Sequence, residues 1–207
     1  ELIEAKKQQL PIYKRGEMLA NIVSLTKNIV VTGSHGKTTT TSMIAWILDF
    51  AGLQPGFLVG GVPGNFGYSA RIGATPFFVI EADEYDTSYF DRRSKFVHYR
   101  PRTLVINNLE FDHADIFENL QEIQQQFHLL LRIIPGNGMV IHPKNDRHVH
   151  EVIDQGCWTP TQTFDQNNAD FSVQDVASDG GEFSVCVAQK VVGRVTWSLT
   201  GMHNVQN

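Results

Sequence analysis

The chain has 207 residues, 42% of them hydrophobic and 10% aromatic, enough for one sizeable domain with a buried core. Its 17 basic and 22 acidic side chains leave a net charge of −5, without the basic stripe that a general nucleic-acid binder presents. No apolar run approaches the ~18 residues of a membrane span, no secretory leader pattern opens the chain, and Cys157 and Cys186 are too few for a disulfide framework, so a reducing cytoplasm is the expected setting.

Glu1 to Gln9 is polar and helix-compatible, and Pro11 interrupts it. Lys14 to Thr26 carries Met18, Leu19, Ile22, Val23 and Leu25 at helical spacing. The β-branched run Asn28-Ile29-Val30-Val31 then meets the glycine loop Thr32-Gly33-Ser34-His35-Gly36-Lys37-Thr38, and a helix-period segment follows from Thr39 to Asp49. A short buried strand is predicted over Pro55–Gly61, a loop over Val62–Gly73, and a buried strand over Phe77–Ile80 that ends on Glu81. Thr103–Ile106 forms a further strand ending on Asn107 and Asn108, and Leu120, Ile123, Phe127, Leu130 and Leu131 mark an amphipathic helix. A fifth strand at Gly138–His142 and a short helix at Asp146–Gln155 complete a β-α alternation, which predicts an α/β domain of three layers with a mostly parallel sheet. Beyond Cys157, the segments Asp170–Val176, Glu182–Val187 and Val191–Ser198 alternate apolar and polar residues around Asp179-Gly180-Gly181, predicting a small antiparallel β-sheet near the C-terminus.

Strand, glycine loop and helix in that order are the context in which a P-loop carries meaning. Backbone N–H groups of Gly33, Ser34, His35 and Gly36 can turn toward phosphate oxygens, with the helix N-terminus adding its positive end. Lys37 would reach the phosphates, Thr38 would ligate Mg²⁺, and Thr39 lies in the same first turn. The pattern departs from the standard P-loop at Val31, where a glycine is usual.

In open α/β sheets, ligands gather beyond the carboxyl ends of the strands. Two acidic tails lie there, Glu81-Ala82-Asp83-Glu84-Tyr85-Asp86 and Asn107-Asn108-Leu109-Glu110-Phe111-Asp112-His113. Carboxylates converging on a Thr-bound Mg²⁺ suit a hard cation; the alternatives are a solvated acidic loop over Glu81–Asp86 and a helix N-cap pair at Asp112-His113, while capping of a helix from Ile116 by Asp112, Asp115 and Glu118 is compatible with metal or phosphate contact. His142, His148, His150 and Cys157 fit no standard zinc spacing. His98, with Arg92, Arg93, Lys95 and Arg100, reads as a basic loop.

Four segments together, Thr32–Thr40, Glu81–Asp86, Asn107–Phe117 and the terminal His203-Asn204-Val205-Gln206-Asn207, resemble the Mur ligase family of ATP-dependent amide ligases. The stretch from Tyr85 to Tyr99 leans toward the members that join a murein tripeptide to UDP-N-acetylmuramate in peptidoglycan recycling, rather than to those that add L-alanine. The resemblance implies a three-domain enzyme, of which residues 27–207 would be the central ATP-binding domain and residues 1–26 a linker and leading helix. The chain opens on Glu1 and stops inside the terminal motif, so the N-terminal uridine-nucleotide domain and the C-terminal peptide domain are expected to lie outside it.

Carried over residue by residue, the resemblance implies Lys37, Glu81 and His113 as catalytic residues. Thr38 and Glu81 would hold one Mg²⁺, and His113 would serve a second metal. Asn108 and Asp112 would shape the metal site, while Asn204 and Asn207, with His203 beside them, would hold adenine. The Gly60–Arg71 loop would face the sugar substrate. Several family members place a carbamylated lysine after the Asp-His pair, whereas no lysine lies between His113 and Lys144. The implied partners are UDP-N-acetylmuramate and the tripeptide L-alanyl-γ-D-glutamyl-meso-diaminopimelate, with no nucleic acid and no membrane. The alternatives are a UDP-N-acetylmuramate–L-alanine ligase and a non-catalytic ATP-binding module.

Overall fold

A computed structural model describes residues 2–9, 15–84, 86–88, 91–111, 116–165 and 168–207. Two helices, α1 (Leu2–Lys7) and α2 (Arg15–Val23), precede the central strand β1 (Lys27–Thr32), which runs through the glycine loop into α3 (Lys37–Phe50). The chain continues through β2 (Gly56–Leu58), β3 (Ala70–Arg71) and β4 (Phe77–Glu81), then a separate small ribbon of β5 (Asp86–Ser88) and β6 (Asp91–Ser94), and α4 (Lys95–Tyr99). Next come β7 (Thr103–Ile106), α5 (Leu120–Leu131), β8 (Met139–Pro143), α6 (Arg147–Asp154), β9 (Thr161–Asp165) and β10 (Phe171–Gln174). The hairpin β11 (Glu182–Val187) and β12 (Lys190–Thr196) leads to α7 (Met202–Gln206).

One sheet holds ten of these strands in the order β12-β11-β10-β9-β8-β7-β1-β4-β2-β3. From β2 to β10 every neighbouring pair is parallel; β3 at one edge and the β11–β12 hairpin at the other are antiparallel to their neighbours. The expected α/β sheet is present, and the C-terminal antiparallel strands extend it instead of standing apart. The bridge between them is β9, a strand that the sequence did not announce, because Thr161-Gln162-Thr163-Phe164-Asp165 offers one large apolar side chain. Its pairing with β8 places it.

Alternation along the central strands builds two cores. Val30 of β1 and Phe78 and Ile80 of β4 face a large core shared with α2, α4, α5 and α6. Ile29 and Val79 face the opposite side, where Ile44, Ala45 and Leu48 of α3 meet Phe57. That is the period-two consequence of a sheet covered on both faces. The expected basic loop around His98 is instead the helix α4, whose Phe96 and Tyr99 lie one turn apart and are buried in the large core. Buried Asn28 fastens it to β1: its side-chain nitrogen donates to the Tyr99 carbonyl at 2.6 Å, and its oxygen accepts from the Arg102 N–H at 2.6 Å. Among the described residues, no helix is long and apolar enough to cross a membrane.

Candidate functional site

β1 lies between β4 and β7, so the loop from Gly33 to Gly36 opens where three parallel strands end side by side. Gly36 has φ of 80°, a left-handed conformation that side chains disfavour, and it caps α3 without any side-chain bond of its own. A Cβ there would also meet the Asn107 side-chain nitrogen at 3.0 Å and the Asn207 carboxamide. Lys37 begins the helix and folds back: its ammonium donates to the Gly33 carbonyl at 2.7 Å and lies 3.6 Å from Asp83 Oδ1. Held so, it lies at the N-terminus of α3, a place suited to an anion.

The tail of β7 forms one wall. Ser34 Oγ donates to the Glu110 carbonyl at 2.9 Å and accepts the Glu110 N–H at 2.8 Å. Asn108 clamps His35 at two points, accepting its N–H at 2.8 Å and donating to its carbonyl at 3.1 Å. Asp146 rivets this tail to the next helix: one carboxylate oxygen accepts the Leu109 N–H at 3.0 Å, while the other caps α6 through the N–H groups of His148 and Val149.

The end of β4 forms the other wall. Glu81 Oε2 is buried and has no hydrogen-bond partner among the described residues. Gly60 approaches the Glu81 carboxylate so closely that a Cβ would collide with it, and a Cβ on Gly61 would lie 3.5 Å from the Thr38 methyl. Glu81, Thr38 and the Gly60–Gly61 turn are therefore neighbours. The loop that starts there ends on Arg71, whose guanidinium donates to Asp49 on α3 and to the Pro55 carbonyl at 2.9 Å, and lies 5.3 Å over each of the Phe57 and Phe66 rings. The Asp49 hydrogen bond raises the Arg71 pKa further, so this pin stays charged at any working pH.

A buried, unpartnered carboxylate oxygen is costly unless something completes it. Beside a threonine hydroxyl and a phosphate-type loop, the donor set suits Mg²⁺, which binds through one or two carboxylates plus phosphates and waters. Among the described residues no cluster of three His, Cys, Asp or Glu side chains is positioned to hold a metal.

Of the terminal segment, Asn207 reaches the loop: its Oδ1 lies 3.4 Å from the Asn107 side-chain nitrogen. Asn204 turns back to the Thr200 carbonyl at 2.7 Å, and the exposed His203 ring lies against Gly201. Thr39 lies half-buried in the first turn of α3. His113 and Asp112 lie outside the described residues. Sequence reasoning weighed Asn108 and passed over Asn107, which binds three separate elements. Two consecutive asparagines at a strand end were the available signal, and both side-chain nitrogens reach the His35 carbonyl, Asn107 at 3.4 Å and Asn108 at 3.1 Å. His142 and His150 pack edge to face at 5.5 Å, and the Cys157 thiol points to the Thr159 carbonyl at 3.4 Å.

Residues 31–207 match the model of the Mur ligase middle domain. The chain belongs to the Mur ligase family. It is 51% identical over 179 residues to the UDP-N-acetylmuramate--L-alanyl-gamma-D-glutamyl-meso-2,6-diaminoheptandioate ligase of Escherichia coli, a match covering 86% of this chain and 39% of that protein. It is 35% identical over 215 residues to the UDP-N-acetylmuramate--L-alanine ligase of Pelagibacter ubique, covering 100% of this chain and 45% of that one. The crystal structure of the UDP-N-acetylmuramate:L-alanyl-gamma-D-glutamyl-meso-diaminopimelate ligase from Neisseria meningitides superposes with a TM-score of 0.88 at 47% identity, over 99% of this chain and 66% of that one. This Mur ligase chain thus spans about two fifths of the length of the first relative it matches.

Proposed function

We propose that this chain is the ATP-binding middle domain of a ligase that joins L-alanyl-γ-D-glutamyl-meso-diaminopimelate to UDP-N-acetylmuramate in peptidoglycan recycling. The observation that carries the nucleotide half is the meeting of Lys37, Thr38 and the unpartnered Glu81 oxygen at one strand end. The preference for tripeptide over L-alanine rests on 51% identity to a ligase named for the tripeptide, against 35% to one named for L-alanine.

In this reading Lys37 leaves the Gly33 carbonyl and takes the β/γ-phosphates, while the loop N–H groups receive phosphate oxygens. Thr38 and Glu81 would hold Mg²⁺, which supplies charge neutralisation at the phosphates. His113 keeps the second-metal role that the family pattern gives it. The lactyl carboxylate attacks the γ-phosphorus, the bond to ADP breaks, and an acyl phosphate forms. The peptide amine then attacks the acyl carbon, phosphate leaves, and the amine loses a proton as the amide forms. Residues 27–207 supply the first step, and the sequence that relatives carry outside the match supplies the substrate domains. The reaction consumes ATP and a UDP-linked sugar, which assigns the protein to the cytoplasm.

Calorimetry with ATP·Mg²⁺, using Lys37→Ala as control, tests the nucleotide site. Wild-type binding that Lys37→Ala abolishes is the expected result, and equal binding by both proteins overturns it. In the full-length protein, faster amide formation with tripeptide than with L-alanine is expected. The reverse makes it an L-alanine ligase, and ATP binding without either amide makes it a non-catalytic module.

A further inference from the structure

Asn107, the first residue beyond β7, is 9% exposed, and its side-chain nitrogen faces acceptors from three separate parts of the chain. Thr40 Oγ1 on α3 lies at 2.7 Å, the His35 carbonyl in the glycine loop at 3.4 Å, and Asn207 Oδ1 at the end of α7 at 3.4 Å. A carboxamide nitrogen carries two hydrogens. The short bond to Thr40 takes one, so His35 and Asn207 share the other. Asn207 leans on the same place from above, since its carboxamide fills the space where a Gly36 side chain would go. α7 in turn is anchored from behind: the Gly201 N–H donates to the Asp179 carbonyl at 2.7 Å, and the Trp197 indole N–H donates to the Gly180 carbonyl at 2.8 Å.

We infer that Asn107 is a positioning residue that couples α7 to the glycine loop, so that Asn207 is set against the nucleotide site before any nucleotide arrives. The inference rests on the nucleotide reading above and deepens it. The carboxamide touches no reacting atom. It fixes the height of α7 over the loop through the shared hydrogen, and its bond to Thr40 fixes the carboxamide itself. A side chain without a donor leaves Asn207 free to move away from Gly36. ATP then has to order that segment on binding, which weakens affinity without altering chemistry once the site is filled.

The test is a double-mutant cycle in the full-length protein, with ATP·Mg²⁺ affinity measured by calorimetry and kcat measured at saturating substrates. Asn107→Ala and Asn207→Ala are each expected to weaken ATP binding about fivefold, the scale of one net hydrogen bond. The double variant is expected to be no more than about twofold weaker than Asn207→Ala alone, and kcat, measured for Asn107→Ala, is expected to be unchanged. Asn107→Leu, similar in size and lacking a donor, gives the same result if the alanine variant folds poorly. Losses that multiply in the double variant, or a kcat that falls with affinity intact, overturn the coupling. So does unchanged ATP affinity in Asn107→Leu. A wild-type protein that binds no ATP overturns the nucleotide reading itself, which is a separate and recognisable failure.

Discussion

The two walls beside Lys37 are built on opposite principles. On the β7 side the polar groups of the loop are matched: Ser34 with Glu110, His35 with Asn108, and Asn107 with Thr40. On the β4 side the structure buries Glu81 Oε2 with no hydrogen-bond partner among the described residues and brings the side-chain-free Gly60 up to its carboxylate. A finished wall holds a shape, whereas a wall with an unmet carboxylate holds a demand. The contrast separates residues that stabilise the fold from residues that await a ligand, and it gives opposite signs for substitutions a few ångströms apart.

The largest effect belongs on the unfinished wall. Glu81→Gln should lower Mg²⁺-dependent ligation in the full-length protein by about 10²–10³-fold, the scale of losing one positioned charge-stabilising group. The thermal midpoint of the metal-free protein should hold or rise, because an amide costs less to bury than a carboxylate. A fall in both activity and stability breaks the contrast. On the finished wall, Ser34→Ala should destabilise the fold by about 0.5–1.5 kcal/mol in chemical denaturation, since it removes both part-buried hydrogen bonds to the Glu110 backbone, and should weaken ATP binding only through the displaced loop. Unchanged stability would mean that this wall is not held by its hydrogen bonds.

The smallest effect comes from outside both walls. His142 on β8 is 3% exposed, and burial holds its pKa below the ordinary 6.5. The unfolded chain therefore takes up a proton first as pH falls. This contribution is complete above about pH 7 and is lost as pH drops through 6.5 toward the lower folded value. His142→Gln should flatten that part of the stability profile while leaving ATP affinity at pH 8 unchanged. A profile that keeps its slope places the titration elsewhere.

Much of the first wall was legible in the sequence, because strand, glycine loop and helix are local patterns whose periods differ. Glu81 was legible as a polar residue ending an apolar strand. Its isolation was not, because Gly60 and Glu81 meet through the pairing of β2 with β4. Asn107 was illegible for the same reason: Thr40 and Asn207 are 67 and 100 residues away along the chain. α4 reads as a basic loop in the sequence because Arg92, Arg93 and Arg100 flank its Lys95 and His98, masking the two aromatic side chains, Phe96 and Tyr99, that it buries. β9 had no apolar alternation to read and owes its place to its neighbours.

The single carboxylate of Asp146 joins the amide of Leu109 to the first turn of α6. One carboxylate accepting from two segments couples their opening: releasing the Leu109 amide loosens the group that caps α6, and fraying of α6 loosens its hold on the β7 tail. The floor beneath the glycine loop and the helix beyond it therefore belong to one cooperative unit, and the rigidity felt by an arriving phosphate is borrowed in part from a helix that never touches it.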